Sequence, residues 1–178
     1  VIIILLLLVL YASMNKPALV FKADTDGKVT QYSPINPDSV FDEELIFATR
    51  NFIESHNDLN PATVENSLND ALSVTTKQVR EILIKEIKEN DYIGTAQKFR
   101  PSYTIDIGTI EIKSREFPYY KTYCVANVNF LKPRQFVRVH IYEITWRKYS
   151  RTNSYPSGLY IAQINHYDQG NVQTNLNK

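Results

Sequence analysis

An α+β domain, with helices packed on one face of an antiparallel sheet, is the fold class this sequence predicts. Two observations predict it. Apolar residues recur at three-to-four spacing from about residue 38 to Gly94, and then at alternate positions to about residue 168, the periods of helix and strand respectively. Clusters of Pro, Gly, Asn and Ser punctuate the change and separate the strands. A chain of 178 residues with net charge +1 is long enough to bury a real core, and its balanced charge projects no field that would draw nucleic acid.

The chain opens on "VIIILLLLVLYASMNKP", without a charge from Val1 to Ala12. Crossing a hydrocarbon core takes about 20 helical residues, and the first residue is Val, so residues 1–14 read as the C-terminal part of a transmembrane anchor. A signal-peptide remnant and a buried strand are the alternatives, the first lacking a basic leader and a small-x-small cleavage site. Only Lys16 and Lys22 follow before Asp24, and so thin a basic flank places the main domain on the outer side of the membrane.

Residues 15–37 read as a short hairpin and linker, with Asp26-Gly27 as a two-residue turn between Val20-Phe21 and Val29. The main domain is expected over 38–168. Its first helix, "VFDEELIFATRNFIESHN", is capped by Asp38 or Ser39 and carries Phe41, Leu45, Ala48, Phe52 and Ile53 on one face. Asn60 caps a second helix with Pro61 at its first position and Val64, Leu68, Ala71 and Leu72 on its apolar face. Thr75 and Gln78 form the capping box of a third, striped by Val79, Ile82, Leu83 and Ile87.

Four alternating segments then read as strands: "FRPSYTIDIGTIEIKSREF", "YKTYCVANVNFLK", "RQFVRVHIYEITWRKYS" and "GLYIAQINHYD". In the second, Tyr120, Thr122, Cys124, Ala126, Val128 and Phe130 share a face; in the third, Phe136, His140, Tyr142, Ile144 and Trp146 oppose Val137, Val139 and Ile141. Both faces are partly apolar, so helices should cover one and a partner should touch the other. Residues 169–178 read as a polar tail. Three helices followed by a curved sheet of about four strands resemble the cone-like arrangement of nuclear transport factor 2-like domains, an analogy of fold alone.

Catalytic chemistry is not legible. His56 sits near the end of the first helix, where the dipole favours a cation; His140 and His166 lie in strands. No HxH, HxxxH or Cys-His spacing links any of them, so neither a metal site nor a cofactor is expected. Cys124, the single cysteine, reads as a small buried hydrophobe and forms no disulfide within the chain. Asp42-Glu43-Glu44 suits the first turn of a helix, while Asp106 and Glu111 read as surface. Arg134, Arg138, Arg147, Lys148 and Arg151 lie among aromatics, a pattern that follows a phosphate backbone when Tyr142 or Trp146 can stack on bases. The simpler reading is a basic solvent edge, which also blunts unwanted strand pairing, and direct nucleic-acid binding is not expected.

"YCVANVNF", the long strand after it and "YPSGLYIAQINHYD" resemble the periplasmic domain of the bitopic inner-membrane subunits of type IV secretion systems, the family of the eighth VirB protein, with the conjugative TraE proteins as cousins. Many members carry an Asn-Pro-x-Gly turn before the final strand. Pro156, Ser157 and Gly158 match its last three positions, while Tyr155 replaces the Asn, whose capping role passes to Asn153 or is lost. Asp24, Gly27 and Val29 match the family's Asp-x-x-Gly-x-Val opening strand. The resemblance implies a single-pass protein of the bacterial inner membrane, its domain in the periplasm, that self-associates and contacts other channel subunits, with no catalytic site or cofactor. Beside the turn residues 155–158, the candidate interface residues are Trp146, Tyr142, Tyr119 and Tyr120, with Tyr160 a further hot-spot candidate. The competing expectation is an anchored domain with a small-molecule pocket, a Tyr-lined cone with His140 or Asp106 converging in it; a surface adhesin domain is a third.

Overall fold

The computed structural model describes residues 21–23, 29–31, 40–132, 135–150 and 157–172. The chain divides into two compact units, Val1–Ser39 and Val40–Lys178. In the first, β1 (Phe21–Ala23) pairs antiparallel with β2 (Val29–Gln31). The pairing falls within the segment where a hairpin was expected; the expected Asp26-Gly27 turn lies outside the described residues. The expected anchor also lies outside them; among the described residues no helix is long and apolar enough to cross a membrane.

The second unit runs α1 (Asp42–His56), α2 (Val64–Ser73), α3 (Lys77–Glu89), α4 (Tyr92–Phe99), β3 (Ser102–Ile107), β4 (Glu111–Glu116), β5 (Tyr119–Lys132), β6 (Phe136–Lys148) and β7 (Leu159–Val172). One sheet holds all five strands in the order β3-β5-β6-β7, antiparallel throughout, and β4 also pairs with β5. The expected first strand is therefore broken. β3 lies along the later half of β5 and β4 along the earlier half, and the interruption is pinned where the Gly108 N–H donates to the Val125 carbonyl at 2.9 Å.

Among the described residues of this unit, four helices stand where three were expected. α4 was missed because its pattern is short and contains Gly94, a poor helix former; tertiary packing holds it, with Ala96 buried and Tyr92 and Ile93 against the same apolar cluster. The helix starts also differ. α1 begins after Phe41 without a side-chain cap, and Asp38 and Ser39 lie outside the described residues. Asn60 caps a turn instead of a helix, accepting the Ala62 N–H at 3.0 Å, and α2 begins at Val64. Thr75 caps nothing: its hydroxyl donates to the Leu72 carbonyl at 2.6 Å, and its backbone bridges to Ile161 of β7. Pairing with a strand edge has displaced the capping box, and α3 starts after Thr76.

The helices cover one sheet face. Leu45, Phe52 and Ile53 of α1 and Val79 and Leu83 of α3 meet Tyr120, Cys124 and Ala126 of β5, Tyr142, Ile144 and Trp146 of β6, and Leu159 and Ile161 of β7. Burying one such large apolar side chain stabilises the fold by about 1.5–3 kcal/mol. Leu59, Val64, Leu68 and Ala96 form a second cluster with Val128 and Phe130. The expected inward face of β5 is buried at every position named for it. Among the expected helix-face residues, Ala48, Leu72 and Ile87 are half-buried, and Phe41 and Ile82 are exposed. β7 continues to Val172, opposite Val137, so the first residues of the expected polar tail belong to the sheet. A backbone ladder accepts polar side chains as readily as apolar ones.

Candidate functional site

All three histidines of the chain meet under the sheet. β6 alternation turns Arg138, His140 and Tyr142 toward the helices, and the β6–β7 register sets His166 opposite Tyr142 and Asp168 opposite His140. The rings of Tyr142 and His166 stack at 4.7 Å, and those of His166 and His140 at 5.0 Å. His56, the last residue of α1, sets its ring edge-on to Tyr142 and His166, at 5.9 and 5.3 Å. Phe52, one turn earlier, stacks on His56 at 5.5 Å, so packing on both sides fixes this imidazole.

A polar chain runs through the cluster. Glu86 of α3 lies 3.2 Å from His166 Nδ1, and His166 Nε2 lies 2.8 Å from His140 Nδ1. With Glu86 ionised, its oxygen accepts the His166 Nδ1–H and His166 Nε2 accepts the His140 Nδ1–H, a tautomer assignment made from the bonding pattern. His56 Nδ1 lies 3.0 Å from the Tyr142 hydroxyl, which accepts an N–H from Asn57 Nδ2 at 2.8 Å. His56 Nε2 is buried and has no hydrogen-bond partner among the described residues.

The electrostatics follow from this burial. Desolvation, then the neighbouring His166, hold His56 and His140 down at about 4, so both imidazoles are neutral near pH 7. The hydrogen bond from His166 lowers the Glu86 carboxyl against the opposing effect of its burial. Burial pushes Tyr92 up to about 12 and Tyr142 well above its ordinary value. The donor atoms of His56, Glu86 and His166 all lie within 4.8 Å of one another. The cluster opens on a groove of about 490 Å³ whose wall includes Glu86, Tyr92, Phe136, Arg138, His166 and Asp168. Arg138 there pairs with Asp168 at 3.4 Å.

Spacing gave no reason to group these residues, because sequence separations of 26 and 80 positions are closed only by strand pairing and helix docking. The one legible sign was the β6 alternation, which placed His140 and Tyr142 on one face. Of the interface candidates, Tyr120, Tyr142 and Trp146 are buried in the core, because the apolar face of each strand is the face the helices cover. Neither Tyr142 nor Trp146 is therefore available to stack on a base, and Lys148 is buried with its ammonium donating to the Ser157 carbonyl at 2.7 Å. Ser157 and Gly158 immediately precede β7, with Gly158 at φ 59°; Tyr155, Pro156, Arg134 and Arg151 lie outside the described residues. Asp106 is exposed on β3 and lines no wall of the groove. Cys124 is buried, and burial raises its thiol.

Tyr119 does reach the surface. It pairs across the sheet with Arg147, which pairs with Tyr160. The Arg147 guanidinium lies 5.6 Å from the Tyr119 ring centre and 4.8 Å from that of Tyr149, whose ring meets Tyr160 edge-on at 5.4 Å. Three neighbouring strands thus present a Tyr–Arg–Tyr row.

Fold and site together define an α+β domain: four helices, a curved antiparallel sheet, and a polar histidine cluster where the two meet. No family model matches the sequence, and no curated protein matches it. Among solved structures, the chain is similar to the soluble domain of TrwG, from the type IV secretion machinery of Bartonella grahamii, with a TM-score of 0.56 and 9% identity over 74% of this chain and 97% of that one. At that identity the likeness is one of fold.

Proposed function

We propose that this chain is a non-enzymatic assembly subunit of a type IV secretion or conjugation channel, a single-pass inner-membrane protein whose α+β domain works in the periplasm. The observation that carries the reading is the fold shared with the TrwG soluble domain over nearly the whole of that domain. The nuclear transport factor 2-like cone, helices first and curved sheet after, is the architecture it uses. Tyr119, Arg147, Tyr149 and Tyr160 supply the contact surface, since Tyr and Arg are the residue types that anchor interfaces; through it the subunit meets other channel subunits or a second copy of itself.

The groove beside the histidine cluster favours a second reading, an anchored domain that holds a small molecule, because an apolar wall with a few convergent polar groups is the usual form of such a site. Purification from native membranes in mild detergent, followed by mass spectrometry, separates the two. Recovery in a large complex with other envelope proteins and a transfer ATPase supports the assembly reading. Recovery as a monomer or simple dimer carrying a small molecule overturns it.

A further inference from the structure

The geometry points to a transition-metal site, of the kind that takes Zn²⁺, built from His56, Glu86 and His166. Two imidazoles and one carboxylate are the donor set of three-ligand zinc centres, which keep a fourth position open. Hard cations such as Mg²⁺ and Ca²⁺ prefer all-oxygen surroundings, so the nitrogen donors select against them.

Distances on the page suit one ion. Two bonds of about 2.0–2.1 Å at a tetrahedral angle place the donor atoms about 3.4 Å apart, and Glu86 Oε1 and His166 Nδ1 already stand 3.2 Å apart. The His56 donor lies within 4.8 Å of both and closes by about an ångström to share the ion at those bond lengths. A separate observation singles out the His56 nitrogen free to ligate: Nδ1 faces the Tyr142 hydroxyl, while Nε2 is buried without a hydrogen-bond partner among the described residues. A buried polar atom left so costs about 1–3 kcal/mol, and a metal bond would satisfy it.

The supporting groups are also in place. A ligating imidazole usually bonds through its other nitrogen to a fixed partner, which sets the ring's orientation and tautomer. His166 has His140 Nδ1 at 2.8 Å from Nε2, and His56 has the Tyr142 hydroxyl at 3.0 Å from Nδ1, itself held by Asn57. On metal binding the His166 proton moves from Nδ1 to Nε2 and is donated to His140 Nδ1, whose own proton moves to Nε2; the count of protons in the pair is unchanged. Glu86 supplies one negative charge to the dication. Glu86 and His166 both line the groove, which provides the entry path and a direction for the open coordination position.

The test uses the full chain in mild detergent, stripped with a chelator and titrated calorimetrically with zinc chloride against a competing weak chelator, with cobalt(II) absorption as a second readout. The expected result is one ion per chain, four-coordinate cobalt bands, and no uptake of Mg²⁺. Glu86→Gln and His166→Asn should each weaken zinc binding by more than the roughly 10–100-fold that loss of a supporting group costs, while Tyr142→Phe should weaken it about tenfold and keep the stoichiometry. Glu86 is only partly buried, so its variant keeps the assay informative where a substitution at buried His56 fails to fold. Absence of saturable uptake in excess zinc overturns the proposal, and so does uptake that Glu86→Gln and His166→Asn leave unchanged.

Discussion

Thr122 shows how a single buried hydroxyl can organise a core. Its oxygen accepts the Thr49 hydroxyl of α1 and the Trp146 indole N–H of β6, each at 3.1 Å, so one atom joins a helix to two strands. Thr122→Val keeps the shape and removes the acceptor, leaving two buried donors unpaired, which should cost about 1–3 kcal/mol in chemical denaturation. A loss within about 0.5 kcal/mol, the range of an ordinary surface substitution, would show that the network contributes nothing. Gly158 is the second such residue. Its φ of 59° is left-handed, and its carbonyl accepts the Tyr149 N–H at 2.8 Å, closing the entry to β7. Gly158→Ala should cost about 1 kcal/mol and Gly158→Asn less, because Asn tolerates this conformation. Equal stability of all three proteins would remove the argument. The glycine was legible as a turn residue; the buried hydroxyl was not, since a Thr at an inward position says nothing about its partner.

Between elements, Asp58 is the main polar joint. One carboxylate oxygen accepts the Asn60 N–H at 2.9 Å and the Tyr103 hydroxyl at 2.5 Å; the other accepts the hydroxyls of Thr63 and Ser67 at 2.6 and 2.5 Å. The loop after α1 is thereby tied to the start of α2 and to β3. Partial burial raises this carboxyl, but the bonds from Ser67, Thr63, Tyr103 and Asn60 outweigh it and hold it below its ordinary 3.8. The folded state therefore binds this proton less readily than the unfolded chain. Its stabilisation is full above the ordinary value and is lost as the pH falls through the folded one. Asp58→Asn should lower the melting temperature near neutral pH, and the gap to the parent should narrow as the pH drops below about 4. A gap independent of pH would mean the ionised form is not what the joint uses. Sequence patterning located the three longer helices and the strand-forming stretches, because each buries an amphipathic stripe, but it ran β3 and β4 together as one strand. It misplaced starts where a backbone bridge or a turn took the capping residue, as at Thr75 and Asn60.

For the whole molecule, the assembly reading makes the Tyr–Arg–Tyr row the place to perturb. Arg147→Ala combined with Tyr119→Ala changes exposed side chains only and should alter stability by no more than about 0.5 kcal/mol per site. Recovery of the secretion complex from membranes should nevertheless fall several-fold, since truncating an interface anchor costs 2 kcal/mol or more, a factor of about 30. A complex recovered at parental yield with both residues removed would move the contact surface elsewhere. The aromatic residues themselves were legible in the sequence. Which of them face outward was not, because in strands with two partly apolar faces the choice depends on where the helices dock.

By itself the sequence determined the class: helices then strands, the inward face of β5, the exposed carboxylates Asp106 and Glu111, and the burial of Cys124. All of these follow from periodicity and local chemistry, which act over a few residues. Only the tertiary structure decided that Tyr120, Tyr142 and Trp146 are core, that the alternating stretch breaks at Gly108, and that His56, His140 and His166 share one site with Glu86. The reason is physical. Strand register and helix docking bring together residues up to 80 positions apart, and that juxtaposition is set by the packing of the whole core, which no local spacing encodes.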